Sequence, residues 1–183
     1  MISESDADAR LEGMRPSPLV LRRRSTWLGR LTWLLVVIVA IVFLVGMAKH
    51  PSELPQSDER VTASIPVGDS VFLGVFAARA DFGRTIHISG VKVYATSTVE
   101  VTITPHLCRG GSLGVTREPE LFCTDVVDVE GAVMRPGDEV ILEVRADQPG
   151  VVAIDPIRIG YRDGLQWDTQ RAGAASLVTV LGR

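Results

Sequence analysis

An uncharged apolar segment, residues 31–48, constrains this chain of 183 residues more than any other feature of its sequence. It reads LTWLLVVIVAIVFLVGMA and contains no acidic or basic side chain. At about 1.5 Å per residue, a helix of this length spans roughly 27 Å, close to the hydrocarbon thickness of a bilayer. Trp27 and Trp33 lie at its N-terminal end, where indole rings favour the headgroup layer. The segment predicts one transmembrane α-helix.

The charges that flank this segment predict its orientation. Four arginines (Arg22, Arg23, Arg24 and Arg30) lie within ten residues before it, whereas the acidic residues of the N-terminal segment lie farther away. Cytoplasmic flanks of membrane helices are enriched in Lys and Arg. We therefore expect a single-pass protein of the cell membrane, with a cytoplasmic N-terminus and an extracytoplasmic C-terminal domain. The bilayer is its first expected partner, through residues 31–48.

A removable signal peptide is the alternative to a retained anchor. Gly46 and Ala48 are small residues at the −3 and −1 positions of a possible cleavage site after Ala48. However, thirty residues precede the apolar segment, and it is longer than the roughly 7–15 residues typical of a signal peptide. The retained anchor is the favoured interpretation, and cleavage after Ala48 stays open.

The rest of the chain divides by composition. Residues 1–30 are predicted to form a disordered, basic cytoplasmic tail that sets topology, with docking of a cytoplasmic partner as the alternative. Residues 49–60 contain two prolines and scattered charges, which predicts an extended, unpacked stalk. Residues 61–183 are predicted to form the extracytoplasmic domain.

Beyond residue 60 the hydrophobic pattern has a period of two, which is typical of strands that bury one face. The alternation is clearest at residues 99–103, 140–145 and 157–162, and further strands are expected at residues 71–77, 122–129, 150–154 and 177–181. The phase changes at Gly90, where a β-bulge would bring residues on both sides to the core. Pro136-Gly137 favours a type II turn, and Asp163-Gly164 favours a two-residue hairpin.

About seven to nine short strands are therefore expected in this region, with no helical stripe of useful length. The predicted fold class is all-β: an antiparallel β-sandwich ectodomain of immunoglobulin-like size, preceded by one transmembrane α-helix. The likeness is architectural, because the Cys-Trp-Cys pattern of immunoglobulin domains is absent from the sequence.

Cys108 and Cys123 are the two cysteines of the chain and lie on the predicted extracytoplasmic side. Such compartments are often oxidising, so a disulfide is favoured over free thiols. Residues 49–183 carry 13 basic and 18 acidic side chains, a net charge of −5. That balance argues against binding of nucleic acid or of an anionic membrane surface.

Catalytic and metal-binding motifs are weak. Residues 110–114 match G-x-S-x-G around Ser112, and His106 is nearby in sequence, but a nucleophile elbow needs a strand before the serine and a helix after it. The histidines lack metal-ligand spacing, and the acidic turns lack a calcium-loop pattern. We expect neither a cofactor nor catalysis; an envelope hydrolase and a calcium- or small-ligand-binding module are the alternatives.

The expected function is interaction: a membrane-anchored module that recruits or scaffolds another component of a cell envelope or membrane, with a protein partner and no nucleic acid. The Arg-rich, Ala-, Gly- and Val-rich composition is typical of a GC-rich bacterial genome. Two surfaces are candidates, the cysteine-bounded loop and the predicted hairpin. The residues expected to make contacts are Arg109, Arg117, Glu118, Asp163, Trp167 and Asp168.

Overall fold

The computed structural model describes residues 26–48 and 51–182 of the protein. Its first element is α1 (Thr26–Ala48), which begins before the predicted start at Leu31. The helix is long and apolar enough, by length and composition, to be a membrane span or a signal sequence. Residues 1–25 of the predicted tail lie outside the described residues.

Thirteen β-strands follow in the described part of the chain. They are β1 (Val61–Pro66), β2 (Ser70–Ala77), β3 (Ile86–Lys92), β4 (Ala95–Ser97), β5 (Thr102–Arg109), β6 (Val115–Thr116), β7 (Asp125–Asp128), β8 (Val133–Met134), β9 (Glu139–Arg145), β10 (Gly150–Ile154), β11 (Ile157–Asp163), β12 (Gln166–Ala172) and β13 (Ser176–Leu181). Single 3₁₀ turns lie at Ala80–Phe82 and Pro119–Leu121.

The strands form three sheets in a sandwich-like arrangement, which confirms the predicted all-β class. Their orders are β1–β13–β10–β4, β12–β11–β3–β8 and β6–β2–β9–β5–β7. The expected strand number is too low, because two-residue strands such as β6 and β8 carry no periodicity. One pairing also departs from the antiparallel expectation: β1 pairs with β13 in parallel.

The apolar residues of all three sheets share one core. Leu73 and Leu142 of the five-stranded sheet are fully buried, as are Ile159 of β11 and Val178 of β13. In β11 and β13 the buried residues occupy alternate positions, so the period of two in the sequence marks the core face there. Strands β2 and β9 instead contain continuous runs of buried residues.

The predicted bulge at Gly90 is confirmed. Gly160 of β11 pairs with Gly90, whereas the next residue, Tyr161, pairs with Ile88, so Ser89 is the extra residue of β3. The insertion turns both Ile88 and Val91 toward the core: Ile88 is buried and Val91 packs against the same cluster.

The strand predicted around residues 99–103 begins later than expected. Val99 and Val101 precede β5, which starts at Thr102, and both pack against the core without belonging to a named strand. The Ser97 hydroxyl donates a hydrogen bond to the Val99 carbonyl at 2.7 Å. An alternating hydrophobic pattern indicates which side chains are buried. Val99 and Val101 show that such side chains can be buried without strand hydrogen bonds.

The stalk prediction needs correction, because residues 51–60 pack against the domain. Leu54, only 3% exposed, is part of the core. Its backbone N–H donates to Gln170 Oε1 at 2.8 Å, and Gln56 forms a parallel bridge with Gly173. The sequence could not reveal these contacts, since the partners lie more than a hundred residues away. We call residues 51–60 the approach segment.

Candidate functional site

Cys108 and Cys123 lie at disulfide-bonding distance, with their Cα atoms 5.2 Å apart. Cys108 is in β5, and Cys123 lies just before β7 at the end of the loop that crosses the outer face of the five-stranded sheet. With Leu113 and Ile141 they form a second, small buried cluster under this loop. A disulfide of this kind is typical of an oxidising compartment.

A buried carboxylate fastens the same loop. Glu139 of β9, 5% exposed, accepts a hydrogen bond from the Leu113 N–H at 2.6 Å and another from the Ser112 hydroxyl. Burial raises the pKa of Glu139, while the hydrogen bonds from Leu113 and Ser112 act in the opposite direction. Ser112 is thus engaged in holding the loop, and the short strand β6 follows it instead of a helix.

This arrangement predicts a pH-dependent contribution to stability. Because the pKa of Glu139 is raised above 4.5 in the folded state, the folded chain binds more protons than the unfolded chain just above pH 4.5. The free energy of unfolding should therefore fall as pH rises through the raised pKa. Glu139→Gln should remove this fall in chemical denaturation measured across pH.

A second variant tests the assignment. Ser112→Ala removes a hydrogen bond that lowers the pKa of Glu139, so the fall in stability should move to higher pH. Parallel pH profiles for the wild type, Glu139→Gln and Ser112→Ala would contradict this account.

Among the three predicted contact residues of the loop, Arg109 lies apart from Arg117 and Glu118. Arg109 ends β5, where its partner in the ladder is Asp125 of β7. Arg117 lies beyond β6 at the other edge of the sheet, and its Nη1 is 3.1 Å from Asp69 Oδ2. Glu118 follows, with its N–H donating to the Thr116 hydroxyl. They do not form one compact contact surface.

His106 lies beside Glu143, whereas the Ser112 hydroxyl is hydrogen-bonded to Glu139. Its Nε2 lies 3.5 Å from Glu143 Oε2, and its ring centroid is 6.2 Å from that of Phe72. Within residues 26–48 and 51–182, no group of three or more His, Cys, Asp or Glu side chains is positioned to hold a metal ion.

The predicted hairpin is present, with its loop displaced by one residue. Asp163 pairs with Gln166, so the two loop residues are Gly164 and Leu165. Gly164 has a φ of 58°. A glycine of positive φ at the first loop position is typical of a type II′ turn. The displacement places Leu165 at the tip, where it is 90% exposed.

Asp163 and Asp168 are half-buried and make contacts within the domain, and Asp168 also lines a surface depression beside Trp167. Asp163 pairs with Arg84 at 3.3 Å, and the Arg84 guanidinium also donates to the Ser52 and Glu53 carbonyls. Asp168 accepts hydrogen bonds from the Thr169 N–H and from Gln170, the residue that holds Leu54. Both carboxylates therefore support the contacts that fix the approach segment.

Tyr161 completes these contacts. Its hydroxyl donates to the Ser52 carbonyl at 3.1 Å, and the Arg84 guanidinium lies 6.0 Å from its ring. Burial raises the pKa of Tyr161, so the phenol remains a donor. The approach segment thus enters the domain beside the end of β11 that carries the hairpin.

Trp167 points away from these contacts and is accessible, as are the predicted contact residues Arg109, Arg117 and Glu118. It is 65% exposed and pairs with Arg162 across the hairpin. Alternate residues of a strand share a face, so Trp167 lies on the exposed face of the β12–β11–β3 strands. We call this surface the open face.

Cationic side chains lie in register across the open face. Arg158 of β11 pairs with Lys92 of β3 on one side and with Arg171 of β12 on the other. Paired residues point to the same face about 5 Å apart, so these three side chains form one row. Like charges directly opposite one another destabilise a sheet. The repulsion among these three cations therefore lowers the stability of this sheet.

A second row lies further along β11, where Arg162 is flanked by His87 and Trp167. Between the two rows the strands carry Gly90, Gly160 and Thr169, whose side chains are small or absent. The surface there is therefore lower than at the rows of long side chains. Within residues 26–48 and 51–182, no ion pair involves any of the four permanent cations of the face, Lys92, Arg158, Arg162 and Arg171.

Shallow depressions adjoin both rows. One of about 480 Å³ is lined by Ser89, Tyr161, Trp167, Asp168 and Thr169. Another of about 360 Å³ is lined by Tyr94, Asp155, Pro156, Arg158 and Arg171. In the second, the Arg158 guanidinium lies 5.7 Å from the ring of Tyr94, which is 50% exposed. The open face therefore has an aromatic side chain at each end and cations between them.

Trp167 was predicted as a contact residue from its type, whereas the four cations were not predicted. Arg158 and Arg162 were visible as the polar phase of an alternating strand. Their neighbours Lys92 and Arg171 are brought to them by strand pairing, which the sequence alone does not specify. Comparisons with protein-family models, with curated proteins and with solved structures find no match for this chain.

Proposed function

We propose that this protein is a membrane-anchored binding module that holds another envelope or membrane component through its open face. The observation that carries the proposal is the exposure of Leu165 and Trp167, 90% and 65%, on the hairpin beside that face. Trp and Arg are enriched among binding hot spots, and Trp167 pairs with Arg162 across the hairpin. The approach segment braces the hairpin from its other side, through Tyr161 and Arg84.

The anchor and compartment of this module follow from α1 and its flanks. Retained α1 spans the cell membrane once, and the arginines before it keep the N-terminus in the cytoplasm. The domain then lies outside, where the Cys108–Cys123 disulfide is stable. The composition favours a bacterial envelope as the setting.

Photo-crosslinking in native cells tests the proposal. A diazirine-bearing amino acid at position 165 of the full chain should form adducts with a bound component, whether protein, glycan or lipid. Trp167→Ala should lower the adduct yield by about tenfold or more, because it removes the largest apolar anchor of the surface.

The matched control is the same probe at Leu121, which is 74% exposed on the disulfide-bounded loop. We expect few adducts there. Equal yields at positions 121 and 165, or water quenching alone at position 165, would contradict binding at the open face. A higher yield at position 121 would transfer the binding role to the loop.

A further inference from the structure

We propose that the open face binds an acidic lipid bilayer, with the cations contacting phosphate-bearing headgroups and Leu165 and Trp167 entering the interface. This inference rests on the proposed function and names the bound component. The net charge of −5 for residues 49–183 led us to expect no binding to an anionic membrane surface. That net charge describes the whole region and says nothing about the charge of one face. Locally, the open face gathers four permanent cations.

The in-register row supplies the first argument. Lys92, Arg158 and Arg171 lie side by side on three adjacent strands, and no described residue forms an ion pair with them. Asp155 lines the depression beside this row, and Asp168 lines the depression beside Trp167, so two acidic side chains adjoin the four cations. Such a row destabilises the free sheet and is relieved by an anionic surface. Charge complementarity therefore specifies an anionic partner.

The shape of the open face supplies the second argument for an acidic bilayer. Arg158 and Arg162 are four residues apart on β11, which places the two rows about 13 Å from each other. Gly90 and Gly160 form the floor between them, so the surface is shallow. A shallow surface of this kind suits a planar partner better than an inserted small molecule.

The aromatic and apolar residues favour a bilayer among anionic partners. Trp167 and Tyr94, at opposite ends of the face, are the residue types that concentrate at membrane–water interfaces. Leu165 at the hairpin tip is an exposed aliphatic side chain that a polyanionic glycan would leave in water. Basic residues combined with an apolar tip are typical of interfacial membrane binding.

The approach segment supplies the last argument. Ser52 is held by Tyr161 and Arg84, beside the end of β11 that carries the hairpin. Two residues, Lys49 and His50, separate Pro51 from the end of α1 in sequence. With α1 in a bilayer, so short a connection gives the hairpin a high effective concentration of lipid surface.

The test uses the full chain, with the diazirine probe at position 165, reconstituted into two kinds of vesicle. One contains phosphatidylcholine alone, and the other contains equal parts of phosphatidylcholine and phosphatidylglycerol. Lipid adducts, measured by mass spectrometry, should be several-fold more abundant in the acidic vesicles and should decrease at high salt. Each cation removed should weaken docking about fivefold.

Charge variants make the test specific. The double variant Arg158→Gln/Arg171→Gln should lower adduct formation at least fivefold, whereas Arg135→Gln/Arg145→Gln, which removes equal charge elsewhere on the exposed surface, should not. The melting temperature of the first variant should equal or exceed that of the wild type, because like charges are removed from one row. A reduced yield in a folded protein then reports docking.

The outcomes separate this inference from the proposed function. If the yield of lipid adducts depends neither on lipid charge nor on Arg158 and Arg171, the acidic-bilayer proposal is wrong. The open face would still be a binding surface in that case. Protein or glycan adducts in cells, with none to lipid in vesicles, overturn the lipid assignment in the same way. Absence of adducts at position 165 in both settings overturns both proposals.

Discussion

Replacing Cys108 and Cys123 together with alanine should lower the free energy of unfolding by about 3 kcal/mol. The cysteines are 15 residues apart, so the disulfide removes the entropy of a loop of that length from the unfolded chain. Both side chains are also buried, in the small cluster with Leu113 and Ile141. Denaturant unfolding of the full chain in detergent, followed by circular dichroism, measures the loss.

The reduced wild type is the control, because it removes the same link while keeping the sulfur atoms. It should lose nearly as much stability as the double variant. Asp138 and Glu139 should still hold the loop in the folded state, through hydrogen bonds from the Gly110 and Leu113 N–H groups. A loss below about 1 kcal/mol would indicate that the unfolded chain keeps this loop compact without the disulfide.

Gly173→Ala should be the more damaging single change, costing more than about 3 kcal/mol. Gly173 has a φ of 73°, and a Cβ there would collide with the Val75 carbonyl. Relief of that collision would break backbone hydrogen bonds that link Gly173 to Pro55 and Ser57. The same denaturation measurement gives the cost, and limited proteolysis within residues 51–60 should report the loosened approach segment.

Gly164→Ala separates the cost of the positive φ from the cost of the steric collision. Gly164 has a similar φ of 58° but no atom near its Cβ position. It should lose only the conformational part, about 1 kcal/mol. If both variants lost the same amount, the packing of Gly173 against β2 would carry none of the effect.

The features that the sequence predicted correctly are local ones. The apolar helix, the alternating strands, the bulge beside Gly90 and the Pro136-Gly137 turn each follow from neighbouring residues. In that turn the Asp138 N–H donates to the Arg135 carbonyl at 3.0 Å, and Gly137 has a φ of 95°. Steric rules for glycine and proline act within such short stretches.

The features that were missed depend on distant partners. The parallel pairing of β1 with β13 joins Val61 to Ser176, and the burial of Leu54 depends on Gln170. A pattern within residues 51–60 gives no sign of either. The same holds for the candidate site: Trp167 stood out by its type, but the row around Arg158 exists only once β3, β11 and β12 have paired.

The docked approach segment also gives the protein a mechanical property. Tension applied through α1 reaches the domain at Pro51 and is resisted first by side-chain contacts to Tyr161, Arg84 and Gln170. The hydrogen-bonded ladder of β1 with β13 bears the load only afterwards. Released residues 51–60 could span up to about 35 Å in total, with every sheet intact. The released segment would then serve as additional tether between α1 and the folded sheets.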